Sequence, residues 1–362
     1  MRHICVSIRP FMRVQKYYVQ TVAVLMVCYL TTLLLSACQQ KSSKKIDLKN
    51  VQVHYRSIRF DRAVFSLDTN QLKFTLDRLG NQHPDFAAIY FRELTGFSRT
   101  PDEEVFHASL RHFLTFKDYR NLYDSVNIKF PDLKEQDEAL KQLFRHVKYY
   151  YPKSSYGSVY YFISGLNQWS AVTVDSLVGV GLDMYLGKQY PFYESVQLPF
   201  YQIERCEKEY IPVNVCRVIH EDMFPQEAEG KNLLDLMVMK GKQLYFMEHM
   251  LPETNEALLI GFTPQQLKWC EQNEGMIWNY FAKQKLLYST QWQEMLRYVN
   301  DGPTSTGMPA ESPGNIGSWI GWQIVRQYAA KFPDKTLQEI VADSGNGQQL
   351  MERARYKPKA GF

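Results

Sequence analysis

The order of apolar and polar positions along the chain predicts a mostly helical protein with a small sheet near its middle. Between Val51 and Phe65 apolar and polar residues alternate, which predicts one or two strands. From Asn70 onward the apolar residues recur at helical spacing. Residues 157–187 carry short apolar runs separated by glycine and serine, and this composition predicts further strands.

Several helix boundaries are also marked in the sequence. Residues 132–152 begin with acidic side chains and end with basic ones before a proline, which suits the helix macrodipole. Pro84 predicts a first helical turn, and Thr263 followed by Pro264 predicts an N-cap and a first helical position. Helical patterns then dominate to the end of the chain. We therefore expect an α+β fold, a predominantly helical single domain with a small central sheet.

The first 37 residues have the composition of an export signal. Their charged residues are all basic, namely Arg2, Arg9, Arg13 and Lys16. An apolar run from Thr21 to Leu35 follows them, as in a secretory signal peptide. The tetrapeptide that ends the segment, Leu35-Ser36-Ala37-Cys38, resembles the lipobox of bacterial lipoproteins. That resemblance implies cleavage before Cys38 and acylation of its thiol. A plain transmembrane anchor is the alternative, but the apolar run is short for a bilayer span of about 20 residues.

These features divide the chain into a signal peptide (1–37), a lipidated tether (38–50) and a globular domain (51–362). Acyl chains on Cys38 would anchor the protein firmly, since each buried methylene contributes about 0.8 kcal/mol. Gln39 replaces the aspartate of an inner-membrane retention signal, so the outer membrane is expected. The tether also lacks the acidic cluster that resembles a surface-export signal, which predicts a domain facing the periplasm.

The charge of the mature chain excludes one class of partner. The chain has 42 Lys and Arg and 38 Asp and Glu, and the signal peptide holds four of the basic residues. Its removal leaves 38 basic against 38 acidic residues, so the net charge is near zero. A neutral domain without a basic tract does not have the electrostatic footprint of a nucleic-acid-binding protein.

Three cysteines follow Cys38 in the chain, namely Cys206, Cys216 and Cys270. Their spacing does not form a disulfide framework or a C-x-x-C zinc motif. An export compartment permits one disulfide among them. Small buried hydrophobic residues are the expected role.

The stretch Cys216–Pro225 contains half of a zinc peptidase motif. His220 and Glu221 match the start of H-E-x-x-H, in which two histidines one helical turn apart bind zinc and the glutamate activates water. The position of the second histidine holds Phe224, and Pro225 ends the helix. His249 is a candidate substitute ligand. His220 and Glu221 are thus candidate catalytic residues, and His220 and His249 are candidate metal ligands, but no cofactor is expected.

Four residues of a later glycine- and tryptophan-rich segment are candidates for packing or partner binding: Gly317, Trp319, Gly321 and Trp322. The G-x-x-x-G spacing is not that of a phosphate-binding loop. In a helix it favours close contact with a neighbouring helix. The tryptophans are then expected in the core or at an interface.

Several segments together resemble a known family, the gliding motility-associated lipoprotein GldB of Bacteroidota. They are SGLNQWSAVTVDSLVGVGLDMYLGKQYPFY, LLDLMVMKGKQLYFMEHMLP, IGFTPQQLKWCEQNEGMIWNYF, SPGNIGSWIGWQIVRQY and the final ARYKP. The resemblance covers most of the mature chain, in the right order. It implies an outer-membrane lipoprotein associated with gliding motility and the linked type IX secretion machinery, with envelope proteins as partners. It implies no known reaction.

The same family is distantly similar to predicted zinc peptidases with H-E-x-x-H and a following E-G-x-A segment. On that similarity Lys240 occupies the place of the third ligand, a glutamate. An ammonium group there would repel a zinc ion. The similarity therefore implies a degenerate zincin-like scaffold.

Three hypotheses for the function follow from these features. The first is a non-catalytic lipoprotein that scaffolds envelope machinery. The second is a zinc peptidase that uses His220, Glu221 and another ligand. The third is an envelope glycan-binding module that exposes Trp169, Trp319 and Trp322; ordinary burial tendencies favour these tryptophans as core residues instead.

Overall fold

The computed structural model describes residues 46–97, 102–225 and 227–359. Cys38 and the signal peptide lie outside these described residues. Residues Leu48–Phe362 form one compact unit. Within the described residues, no helix is both long enough and apolar enough to cross a membrane.

Within the described residues the chain forms sixteen α-helices and four strands. The strands are β1 (Arg56–Arg59), β2 (Ser158–Phe162), β3 (Ala171–Val174) and β4 (Leu177–Gly181). The first eight helices are α1 (Phe60–Phe65), α2 (Leu72–Gln82), α3 (Pro84–Ile89), α4 (Glu103–Thr115), α5 (Lys117–Lys129), α6 (Lys134–Tyr150), α7 (Phe192–Ser195) and α8 (Phe200–Ile203). The others are α9 (Tyr210–Met223), α10 (Leu233–Met250), α11 (Glu256–Ile260), α12 (Pro264–Lys283), α13 (Trp292–Val299), α14 (Ile316–Lys331), α15 (Leu337–Val341) and α16 (Gly347–Ala354). The predicted α+β class is confirmed.

The sheet is small and mixed. Its strand order is β1-β2-β4-β3, with β1 and β4 parallel to β2, and β3 antiparallel to β4 at one edge. The hairpin between β3 and β4 turns at Asp175, whose φ of 51° lies in the left-handed region. Helix α3 covers one face of the sheet, where Phe86 stacks on Tyr160 at 4.3 Å between ring centroids. Helix α9 packs against β3.

The local sequence signals gave mixed results. The strand expected over Val51–Phe65 is only four residues long, because the second part of the segment forms α1 instead. The helix buries Phe60, Val64 and Phe65. Residues at positions i, i+4 and i+5 lie on neighbouring faces of a helix, so all three can contact the core. Thr263 and Pro264 behave as predicted, since the threonine side chain accepts a hydrogen bond from Gln266 N in a capping box.

The three cysteines of the globular domain are buried free thiols, as expected. Burial raises the pKa of Cys206 to about 12, so its thiol stays protonated at neutral pH. Protonated thiols of this kind act as small hydrophobic side chains.

Two long helices, α10 and α14, cross at backbone distance in the largest helix contact of the fold. A Cβ atom built on Gly321 would lie 1.7 Å from the carbonyl oxygen of Met237. One built on Gly241 would lie 2.2 Å from the backbone carbon of Gly321. A Cβ atom built on Gly317 would lie 2.8 Å from the carbonyl oxygen of Tyr298 in the neighbouring helix α13. Glycine is therefore required where these helices cross, because any side chain would force them apart.

We expect Gly321→Ala to destabilise the protein by about 3 kcal/mol or more, since the added methyl group overlaps the backbone of α10. Gly80→Ala is the matched control. A Cβ on Gly80 in α2 meets no atom within 4 Å, so this helix substitution should stabilise by about 0.5–1 kcal/mol. Urea unfolding of both variants checks this. Equal stabilities of Gly321→Ala and the wild-type protein would contradict the close crossing.

Candidate functional site

Helix α9 carries the half motif at its C-terminal end. His220 and Glu221 lie in the last turn, and the helix ends at Met223. Phe224, at the place of the second histidine, is the C-cap residue, and its N–H donates to the carbonyl oxygen of His220 at 2.9 Å. The residue that would supply a second ligand in the motif is thus an aromatic ring.

The His220 side chain is enclosed in an aromatic environment. It is 1% exposed, and its ring lies 5.2 Å from the rings of both Phe224 and Phe246. Among the described residues, neither ring nitrogen has a hydrogen-bond partner. Burial, with a further contribution from the nearby charge of Lys240, lowers the pKa of His220 to about 3. The imidazole is therefore neutral at physiological pH, and it is packed as an apolar ring would be.

Lys240 projects from α10 toward the same region. Burial lowers its pKa, the charge of Glu221 opposes this shift, and Arg217 adds to it. Lys240 is thus close enough to His220 and Glu221 for electrostatic interaction with both. Where a zinc ion would need an anionic or neutral ligand, the site instead provides a cation.

Glu221 does not share the enclosed environment of the histidine. Its side chain is exposed, and its Oε1 atom accepts a hydrogen bond of 3.1 Å from Nε2 of Gln243 on α10. Consecutive helical residues are separated by about 100° around the helix axis. Because His220 faces the core, the side chain of Glu221 points toward solvent. In this arrangement Glu221 links α9 to α10.

The structure places His249 in separate surroundings. It lies near the end of α10, where its Nδ1–H donates to the carbonyl oxygen of Tyr245 at 2.8 Å. Its ring packs against Tyr245 and Tyr150, at 4.4 and 6.0 Å between centroids. Across the described residues, no group of three or more His, Cys, Asp or Glu side chains is placed to hold a metal ion. The residues at the half motif do not fit a zinc site of the H-E-x-x-H kind.

The tryptophans of α14 are core residues. Trp319 is 2% exposed and Trp322 is fully buried. The glycan-binding hypothesis requires both indoles to be exposed, and this prediction is wrong. Trp322 Nε1 donates to Glu248 at 3.1 Å, and the guanidinium of Arg326 lies 3.8 Å from its ring centroid. Their burial follows from the close crossing of α14 and α10. Only Trp169 among the three keeps a surface face, at 39% exposed.

A cavity of about 760 Å³ adjoins the C-terminal end of α9, and motif analysis of the sequence missed it. Its lining includes three tyrosines, Tyr150, Tyr151 and Tyr156. The hydroxyl of Tyr156 donates to Asp222, and the ring of Tyr151 packs on Phe224 and Phe246. Tyr151 thus lies between this cavity and the two phenylalanine rings that enclose His220. The dense tyrosines of residues 149–156 are the only local signal for it in the sequence.

The described residues thus define an α+β domain in which aromatic rings enclose His220 of the half motif. Comparison with known families is more specific. The family model described as Gliding motility protein GldB matches residues 41–358, and the chain belongs to this family. No curated protein and no solved structure matches the chain.

We expect His220→Leu to stabilise the protein increasingly as the pH falls. Below pH 6.5 the unfolded chain protonates this histidine, whereas folded His220 stays neutral down to about pH 3. Falling pH therefore favours the unfolded wild-type protein, and leucine removes this cost. Between pH 7 and pH 5 the stability difference should grow by about 2 kcal/mol in favour of the variant. Urea unfolding at the two pH values measures it, and a constant difference would contradict a buried neutral imidazole.

Proposed function

We propose that the protein is a non-catalytic, lipid-anchored component of the envelope machinery for gliding motility and the linked type IX secretion. Membership of the GldB family associates it with gliding motility. The non-catalytic role and the link to secretion are the parts we add. They rest on the chemistry of the half motif and on the resemblance of the N-terminus to bacterial lipoproteins.

The observation that carries the non-catalytic role is the pair of residues at the remaining ligand positions. Phe224 packs its ring on His220, and Lys240 brings a positive charge to the same place. A peptidase of this kind needs several neutral or anionic ligands around one zinc ion and a carboxylate beside the bound water. His220 and Glu221 alone supply one ligand and one carboxylate. Their contacts with α10 instead support a role in holding α9 and α10 together.

The membrane attachment in this proposal rests on the N-terminal sequence. Cys38 follows the small residues of a lipobox, and Gln39 favours the outer membrane. The tether of residues 38–50 is short, and its 13 residues reach at most about 45 Å when fully extended. The folded domain would therefore stay close to the membrane surface, on the periplasmic side, where envelope partners are available.

The two other hypotheses have weaker support. A zinc peptidase would need ligands other than Phe224 and Lys240, and His249 faces tyrosines on another part of α10. A glycan site built from three exposed indoles fails at Trp319 and Trp322, which are buried.

In a deletion strain, we expect the Glu221→Gln variant to restore gliding and type IX secretion to the wild-type level. The amide keeps a hydrogen-bonding partner for Gln243 but cannot act as a general base. Cys38→Ala should restore neither activity, because it removes the thiol that is acylated, and the protein should leave the membrane fraction. Colony spreading, cell gliding on glass and secretion of a cargo protein are the measurements.

Glu229→Gln, at an exposed position in the loop between α9 and α10, is the matched control. Loss of both activities in Glu221→Gln but not in Glu229→Gln, at equal protein abundance, would indicate catalysis and overturn the proposal. Full activity of Cys38→Ala would overturn the lipid anchor.

A further inference from the structure

A second cavity, of about 790 Å³, lies away from the half motif. Three separate stretches of the chain form it: residues 199–210 around α8, residues 258–266 around the start of α12, and the loop that contains residues 302–314. We call it the proline groove, because prolines and aromatic rings from all three stretches line it, namely Pro199, Phe200, Tyr201, Phe262, Pro264 and Pro313.

The walls of the proline groove are held in place by polar contacts beneath them. Arg205 Nη1 pairs with Asp301 at 2.6 Å, and Asn315 Nδ2 donates to the same carboxylate at 3.3 Å. The guanidinium of Arg205 also packs so closely on Gly261 that a Cβ there would lie 2.6 Å from it. Gly261 has a φ of 79°, which a side chain would strain. These contacts join all three walls, so the groove exists before any partner binds.

One side of the groove carries an unusually exposed aromatic ring. Phe200 is 72% exposed, and Phe192, from the preceding helix α7, is 50% exposed. A contiguous apolar surface marks a site of association, and Phe200 continues the apolar lining of the groove. Aromatic side chains are also the commonest anchors of binding energy at interfaces.

The charge of the groove indicates the charge of its occupant. Its lining contains three glutamates, Glu204, Glu207 and Glu209, against the single Arg205. Asp301 pairs with Arg205, and Lys188 pairs with Glu204 at 2.9 Å. Glu207 and Glu209 therefore supply the net negative charge at the entrance. A basic ligand is favoured there and an acidic one is repelled.

The backbone of the groove indicates the conformation of its occupant. Proline has no N–H, so Pro199, Pro264 and Pro313 cannot donate hydrogen bonds to an added β-strand. A polyproline II segment does not depend on such donors, because its backbone has no regular hydrogen bonds and its rings pack on aromatic and proline surfaces.

We propose that the proline groove binds an extended, proline-containing and basic segment of a partner protein. Phe200 and the prolines contact its apolar residues, and Glu209 and Glu207 attract its lysine or arginine side chains. The proposal concerns a surface separate from the half motif, and it gives the envelope partner a defined chemistry.

The test is selection from a phage library of random twelve-residue peptides on the full-length lipoprotein in detergent. Selected peptides should be rich in proline together with arginine or lysine. Their fluorescein-labelled synthetic forms should bind at least about tenfold more weakly to Phe200→Ala, as measured by fluorescence anisotropy. Phe74→Ala is the matched control, since Phe74 is a comparably exposed ring (64%) on α2, and it should leave binding unchanged.

A second variant separates the charge from the aromatic contact. Glu209→Lys should weaken binding most at low salt, while Glu229→Lys, also an exposed glutamate, should not. The proposal is overturned if the library yields no enriched sequence, or if the enriched sequences are acidic or lack proline. Binding that Phe200→Ala leaves unchanged would overturn it too, as would self-association of the protein that depends on Phe200.

Discussion

The close crossing of α10 and α14 is the constraint on which the rest of the helical layer depends. Two helices normally pack 8–10 Å apart, with side chains between them. Here Gly241 and Gly321 bring backbone onto backbone. This crossing fixes the rotation of α10 about its axis. Because Gly241 faces α14, the adjacent Lys240 is turned about 100° away, toward α9 and the half motif.

The chemistry of the half motif follows from that geometry. With α10 fixed, Phe246 packs on His220, Lys240 lies near it, and Gln243 donates to Glu221. A neutral imidazole without hydrogen bonds is a costly core residue, since an unsatisfied buried polar group costs about 1–3 kcal/mol. Tyr151, which packs on Phe224 and Phe246, lines the neighbouring cavity.

The capping and proline signals in the sequence predicted where two helices begin. Pro84 begins α3 and Thr263 caps α12, because these residues act through their own backbone and the next turn. The alternation that begins at Val51 wrongly predicted a strand where α1 lies. A segment of six residues is too short to distinguish the period of a strand from that of a helix. Helix α14 is apolar on nearly every face, so no periodicity could decide which side its tryptophans occupy.

The sites depend on contacts between distant residues, which the sequence does not reveal. His220 and Glu221 were recognisable as half a motif, but the ring of Phe246 that encloses His220 comes from the next helix. The proline groove is built from three stretches that no shared motif connects. Its prolines look like ordinary loop residues until the fold brings them together.

The central claim is that packing has closed the half motif, and the protonation state of His220 tests it most directly. In a protein labelled with ¹⁵N-histidine, with His220→Leu used to assign the signal, NMR spectra follow this imidazole between pH 8 and pH 4.5. The ring should stay neutral throughout and should not respond to added Zn²⁺. Titration near the ordinary histidine value of about 6.5, or a shift of the His220 signal on addition of zinc, would contradict the claim.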